Sequence, residues 1–203
     1  MLDPRTIYEK HTVSCVAFVV DINGSEKLID AGEDRLTGQF FRDLLAGGIR
    51  SVEECNGSVI SFTGDGFIAV LPTATDAAHA CWGVARDLRK TREYLRDCRV
   101  DFPQAWPQLD VGVGLKVAIE RGELEVSSIS SAFLGVQPFL IGPPTVYASR
   151  IPAFGEGDRC VIGPNAAANW PYAGLTGPFE DEVKHKGTKY QYYFYDLDDL
   201  WVD

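Results

Sequence analysis

The chain switches between unbroken apolar runs and helical-period stripes, and each switch marks an element. Residues 16–20 form an apolar run that ends at Asp21, the pattern of a buried strand. Over 25–55 the period becomes helical. Leu28, Ile29, Leu36, Phe40, Phe41, Leu44, Leu45, Ile49 and Val52 recur mostly at three- and four-residue steps, with Gly32 and Gly47-Gly48 as interruptions. Two short apolar runs follow, Val59, Ile60 and Phe62, then 67–71. They are separated by Thr63-Gly64-Asp65-Gly66 and bounded by Asn56-Gly57 and Pro72, which predicts a hairpin with both glycines at positive φ. A second helix is expected over 73–99, with Thr75 as N-cap and a stripe of Ala77, Ala78, Cys81, Trp82, Val84, Ala85 and Leu88. Residues 101–108 read as a loop. Segments 109–119 and 122–129 read as two strands joined at Glu120-Arg121-Gly122. "GPPTVYASRIPAF" predicts a short helix opened by prolines and closed before Pro152. Two strands end the chain, "YQYYFYDL" the clearer, with room for a short helix near Asn165. The order β-α-α-β-β-α-β-β-α-β-β implies an α+β sheet with helices packed on one face.

Composition narrows the class. A chain of 203 residues with 45% hydrophobic and 24% charged residues is expected to form one domain, 1–203, with a substantial core. No run reaches membrane-spanning length and the first residues lack a signal-peptide layout, so a cytoplasmic protein without direct membrane contact is expected. The five cysteines include no CxxC and the three histidines are scattered, which favours reduced thiols and gives structural zinc no support. A net charge of −10 argues against a general nucleic-acid binder. An anionic ligand would need bound cations or a local basic cluster, and "VKHKGTK" (183–189) is one candidate.

Asp21 ends a buried strand and Asp65 sits in the hairpin turn. If the hairpin neighbours that strand, both carboxylates leave the sheet at the same end, where they suit a hard cation such as Mg²⁺ that retains positions for phosphate oxygens. The backbone N–H groups of Gly24 and Ser25, entering a helix, suit phosphate. "GVGLKV" lacks the third glycine of a dinucleotide fingerprint, and neither GxxxxGK[ST] nor GxSxG occurs. Taken singly, each residue also fits a plain role: Asp21 as a helix cap, Arg150 as a surface helix arginine, Lys184 as a solvated strand lysine.

In combination the motifs resemble the class III nucleotidyl cyclases. "FVVDINGSEKL" is similar to their first metal strand, "GSVISFTGDGFIAVLP" to their second metal hairpin, "IGPPTVYASRI" to their catalytic helix and "VKHKG" to their triphosphate lysine segment. The four stand in order over roughly 13–190 of the chain, and the joint match is far more specific than any part. The resemblance implies a ferredoxin-like α+β cyclase domain, mainly antiparallel with flanking helices, working as a homodimer with shared active sites. It implies two Mg²⁺ or Mn²⁺ ions held by Asp21 and Asp65 with the carbonyl of Ile22. Arg150 of the other subunit would act at the α-phosphate and Lys184 on the terminal phosphates of a nucleoside triphosphate.

The departures bear on the base. The first base-reading position, a lysine or glutamate in purine cyclases, is Ser61; the second aligns with Phe139; and the catalytic-helix asparagine aligns with Val146. A site without a hydrogen-bonding pair for a base edge discriminates poorly for that base. Bulk at Phe139 or Tyr147 favours a smaller one. This pattern resembles the pyrimidine cyclases of bacterial anti-phage (Pycsar) systems, and the resemblance implies UTP ahead of CTP as substrate and a separate effector that reads the cyclic product. A purine cyclase reading its base with other residues, and a catalytically silent nucleotide-binding homologue, stay open beside it.

Overall fold

The computed structural model describes residues 12–23, 25, 34–101, 114–131, 135–155, 159–182 and 187–197. Its elements are β1 (Thr12–Asn23), α1 (Asp34–Glu54), β2 (Ser58–Phe62), β3 (Gly66–Leu71), α2 (Ala74–Asp101), β4 (Gly114–Ser131) and β5 (Gly135–Ile141). They continue with α3 (Pro143–Ala148), a 3₁₀ turn (Ile151–Phe154), β6 (Arg159–Ile162), α4 (Pro164–Ala167), β7 (Thr176–Glu182) and β8 (Lys189–Asp196).

The strands form one sheet in the order β2-β3-β1-β4-β6-β8-β7, with β5 also on β4. All described pairings are antiparallel except β4 with β6. β1 is central and covered on both faces, which is why its sequence is a continuous apolar run rather than an alternation. Its even positions Val16, Phe18, Val20 and Ile22 pack with Phe40, Leu44 and Val52 of α1 and Cys81, Val84 and Leu88 of α2. Its odd positions Ala17 and Val19 pack with Ala118, Ala148, Ile151, Tyr190 and Tyr192. The helices therefore do not share one face as the sequence implied. The two long ones take one face, and α3 with its 3₁₀ turn takes the other. Small residues such as Ala17, Ala118 and Ala148 let that short helix lie close to the sheet.

Several boundaries differ from expectation. Glu120-Arg121-Gly122 is not a turn: it stays in register with Ala17, Val16 and Cys15, so β4 runs unbroken through it. The N-cap of α2 is Thr73 rather than Thr75, since the Thr73 Oγ1 accepts the Asp76 N–H at 3.1 Å and donates to the Asp76 carboxylate. The expected 25–55 helix is described from Asp34, and Ser25 is helical. Strands β5 and β6 had no separate signal, β6 being only four residues long. The expected loop 101–108 lies outside the described residues beyond Asp101.

Glu125 of β4 pairs with Thr12 of β1 and with Ile141 of β5, which places β5 on the same side of β4 as β6. The β6 register stops at Ile119 and the β5 register starts at Glu125, so 120–124 lie in a gap between two neighbours. Glu120 fills it from the α3 face. Its side chain is 2% exposed, and its Oε1 accepts the N–H groups of Arg121 at 2.7 Å and Ala166 at 3.2 Å. Its Oε2 has no hydrogen-bond partner and lies where any Cβ at Gly163 would collide with it. Burial raises the Glu120 pKa above its ordinary 4.5, partly offset by the hydrogen bonds it accepts. A raised acid keeps its proton longer in the fold than in the unfolded chain, so its contribution favours the fold at low pH and is lost as pH rises through the raised value. Glu120→Gln removes that term. The variant's Tm relative to wild type is expected to improve steadily as pH rises from 4.5. A Tm difference that stays flat with pH in calorimetry would contradict a buried, proton-retaining Glu120.

Candidate active site

The hairpin brings Asp65 to Asp21 through two different uses of glycine. Gly64 has φ 83°, the left-handed region the turn requires. Gly66 is not at positive φ but in close approach: a Cβ there would stand 2.2 Å from the Val20 carbonyl oxygen. Thr63 N–H donates to the Gly66 carbonyl at 3.0 Å and closes the turn. Gly66 then pairs with Asp21 in the β1–β3 register, so Asp65, one residue earlier, lies beside the end of that ladder.

The two carboxyl groups interact. Asp21 is half-buried and its pKa is raised, first by burial and then by the Asp65 charge. Lys116 acts in the opposite direction, and a hydrogen bond between the Asp21 and Asp65 side chains raises the value further. Lys116 is the β4 residue paired with Asp21, the one cation set into the buried stretch 114–119. Sequence reasoning missed it. Its signal was there: a lone lysine among apolar positions in "GLKVAI", one strand over from a lone aspartate.

The β1–β3 ladder stops at Asp21 while β1–β4 continues to Asn23. The backbone of Ile22 thus has no β3 partner on the Asp65 side, although its side chain is 2% exposed in the core. Two carboxyl groups that repel one another in this way could hold a divalent cation. Among the described residues there is no cluster of three or more His, Cys, Asp or Glu that could hold a metal.

Arg150 follows α3 at the junction with the 3₁₀ turn. Because Ala148 and Ile151 pack with Ala17 and Val19, this segment lies on the face that carries Asp21. The guanidinium, however, is not beside Asp21. Its Nη1 donates to the Tyr190 hydroxyl, and its Cζ lies 5.8 Å from the Tyr190 ring centroid. Tyr190 is on β8, and three strand spacings, about 14 Å, separate the β8 and β1 axes. Tyr147 is half-buried, donates to the Gln191 carbonyl, and has its pKa pushed up to about 12, mainly by burial.

The other expected site residues divide as follows. Ser61 is exposed near the end of β2, with Oγ 3.5 Å from its neighbour's carbonyl oxygen. Phe139 pairs through its backbone with Ser127. Val146 is 41% exposed on α3, and Ser25 is half-buried. Gly24 and Lys184 lie outside the described residues. A cleft of about 520 Å³ lined by Thr12, Glu120, Pro144, Tyr147 and Asn165 opens beside the β4 gap. Thr12 and Asp21 are at opposite ends of β1, about 30 Å apart, so the cleft is not where the carboxylates meet.

A mostly antiparallel sheet with two long helices on one face and a short helix on the other is the fold of the nucleotidyl cyclase catalytic domains. Solved structures bear this out. The guanylyl cyclase Cya2 matches with a TM-score of 0.72 at 13% identity, over 90% of this chain and 91% of that one. The adenylyl cyclase CyaB from P. aeruginosa matches with a TM-score of 0.67 at 16% identity, over 91% and 95%. The guanylate cyclase domain of RhGC from Catenaria anguillulae, in complex with GTP, matches with a TM-score of 0.63 at 13% identity, over 89% and 94%. No protein-family model matches the sequence, and no curated protein matches it. No described helix is long and apolar enough to cross a membrane.

Proposed function

We propose that this chain is a nucleotidyl cyclase converting a nucleoside triphosphate to its 3′,5′-cyclic monophosphate and pyrophosphate. One observation carries the reading: in a cyclase fold, Asp21 and Asp65 meet at a strand end with Lys116 opposite. Asp21 and Asp65, with the Ile22 carbonyl, would hold two Mg²⁺ or Mn²⁺ ions. When bound, such ions neutralise phosphate charge and ease deprotonation of the attacking hydroxyl. Lys116 pairs with phosphate oxygens nearby, and Lys184 and the N–H groups of Gly24 and Ser25 take the rest of the triphosphate. The ribose 3′-hydroxyl attacks the α-phosphorus, the bond to the bridging oxygen breaks and pyrophosphate leaves. Positioning and charge neutralisation supply most of the acceleration.

The site is shared between two copies of the chain. Arg150 donates to Tyr190 of β8, a strand three places from β1 in the sheet, which suits action on a nucleotide held by a partner. Phe62, Ile141 and Val146, exposed by 62%, 45% and 41%, supply apolar surface for that association. The substrate is a pyrimidine nucleotide, UTP or CTP. Ser61 and Phe139 offer no hydrogen-bonding pair to a purine edge, and the resemblance to anti-phage pyrimidine cyclases agrees. The cyclic product then serves as a messenger for a separate effector.

Incubating the purified protein with ATP, GTP, CTP and UTP separately, with Mn²⁺, and reading products by mass spectrometry tests this. A cyclic pyrimidine nucleotide supports the whole reading. A cyclic purine keeps the cyclase and overturns the base assignment. No cyclic product from any of the four overturns the activity and leaves a silent homologue.

A further inference from the structure

We propose that Tyr190 is a positioning residue for Arg150, holding its guanidinium in place before substrate arrives. The inference rests on the cyclase reading above and adds to it a residue that no sequence motif marks. Two independent links fasten the end of α3 to β8. Tyr147 donates its hydroxyl to the Gln191 carbonyl, and Arg150, three residues later, donates to the hydroxyl of the adjoining residue, Tyr190. The ring of Tyr147 meets the ring of Tyr190 edge-on, with centroids 5.0 Å apart and planes at 69°. Tyr190 itself is 5% exposed and packs in the cluster of Val19, Ala118, Ala148 and Ile151. It cannot swing away without opening that cluster.

The consequence for Arg150 is entropic and electrostatic. A free arginine carries about 2 kcal/mol of rotamer entropy that must be surrendered when its fork engages a phosphate. Held by a hydrogen bond to a buried hydroxyl, the side chain has surrendered much of it in the resting protein. A phenol hydroxyl fixes the guanidinium where a carboxylate partner would cancel its charge. Arg150 keeps further donors for a phosphate oxygen, since a guanidinium has five N–H groups. Such preorganisation acts on charge that develops during the reaction, so it belongs in kcat rather than in nucleotide affinity.

Tyr190→Phe removes the hydroxyl and keeps the ring and the packing. The expected result is a ten- to a hundredfold fall in kcat, about the cost of a small misplacement of a reacting group, with KM changed by no more than about twofold. In an Arg150→Lys background the same change should have little further effect, because Tyr190 acts only through the arginine. Nitrogen-15 relaxation of the Arg150 side chain should report restricted guanidinium rotation in wild type and its release in Tyr190→Phe. Unchanged kcat in Tyr190→Phe overturns the proposal, as does equal loss in both backgrounds. A rise in kcat also overturns it, because the contact would then park the arginine away from the reaction. These failures appear as differences between variant and wild type. Failure of the cyclase reading appears in wild type itself, as absence of any cyclic product, and takes this proposal with it.

Discussion

Asp65→Asn is expected to leave a folded protein with no measurable cyclisation of any nucleotide. The residue is half-buried beside exposed turn residues and contributes no side chain to the core, so its replacement costs the fold little. It also relieves the repulsion that raises the Asp21 pKa, which favours the metal-free fold. What the variant loses is half of the charge that makes the pair a cation site. The measurement that separates this from general damage is thermal. With Mn²⁺ at about a hundred times its Kd, binding stabilises a protein by about 2.7 kcal/mol, worth roughly 5–11 °C in Tm at this chain length. Wild type should show that shift and Asp65→Asn should not. A variant that keeps both turnover and the Mn²⁺ shift would remove Asp65 from the site.

The second large effect is at Arg150. Arg150→Ala is expected to lower kcat by about a thousandfold, the usual scale for removing a cationic group that stabilises charge in phosphoryl transfer. Nucleotide binding should change far less. Mixing Arg150→Ala with Asp65→Asn then asks which chain each group serves. If Arg150 acts on a nucleotide held by a partner, a heterodimer has one site with both groups intact and one with neither. Equimolar mixing with free exchange makes half of the dimers mixed, so about a quarter of wild-type activity should return. Heterodimers confirmed by native mass spectrometry without recovered activity would place both groups in one chain.

The meeting of Asp21 and Asp65 could be read from the sequence because its parts are local. Asp21 ends a run whose burial on both faces was plain, and the hairpin around Asp65 carries its own turn chemistry. The cross-strand partners were not legible. Lys116 becomes meaningful only through its pairing with Asp21, and that register depends on the whole of β4. β4 itself was misread because Glu120 and Gly122 look like a turn. Glu120 is tolerated in a strand only because Arg121 and Ala166 satisfy one of its oxygens, a tertiary fact. The role assigned to Gly66 was half right: it is required, for closeness to the Val20 carbonyl rather than for φ. The separation of helices onto two faces was also hidden, because β1 is apolar on both sides and carries no alternation to say which helix covers which.

The tether of Arg150 to β8, three strands away from Asp21, has a consequence at the scale of the cell. On the shared-site reading, a lone chain has the metal pair but not the arginine it needs. Below the concentration at which chains pair, total output grows as the square of abundance, and above it only linearly. Doubling expression in the dilute regime would then quadruple the signal, so the gene's own dosage becomes an input to the messenger it makes. A few extra molecules matter most when there are few.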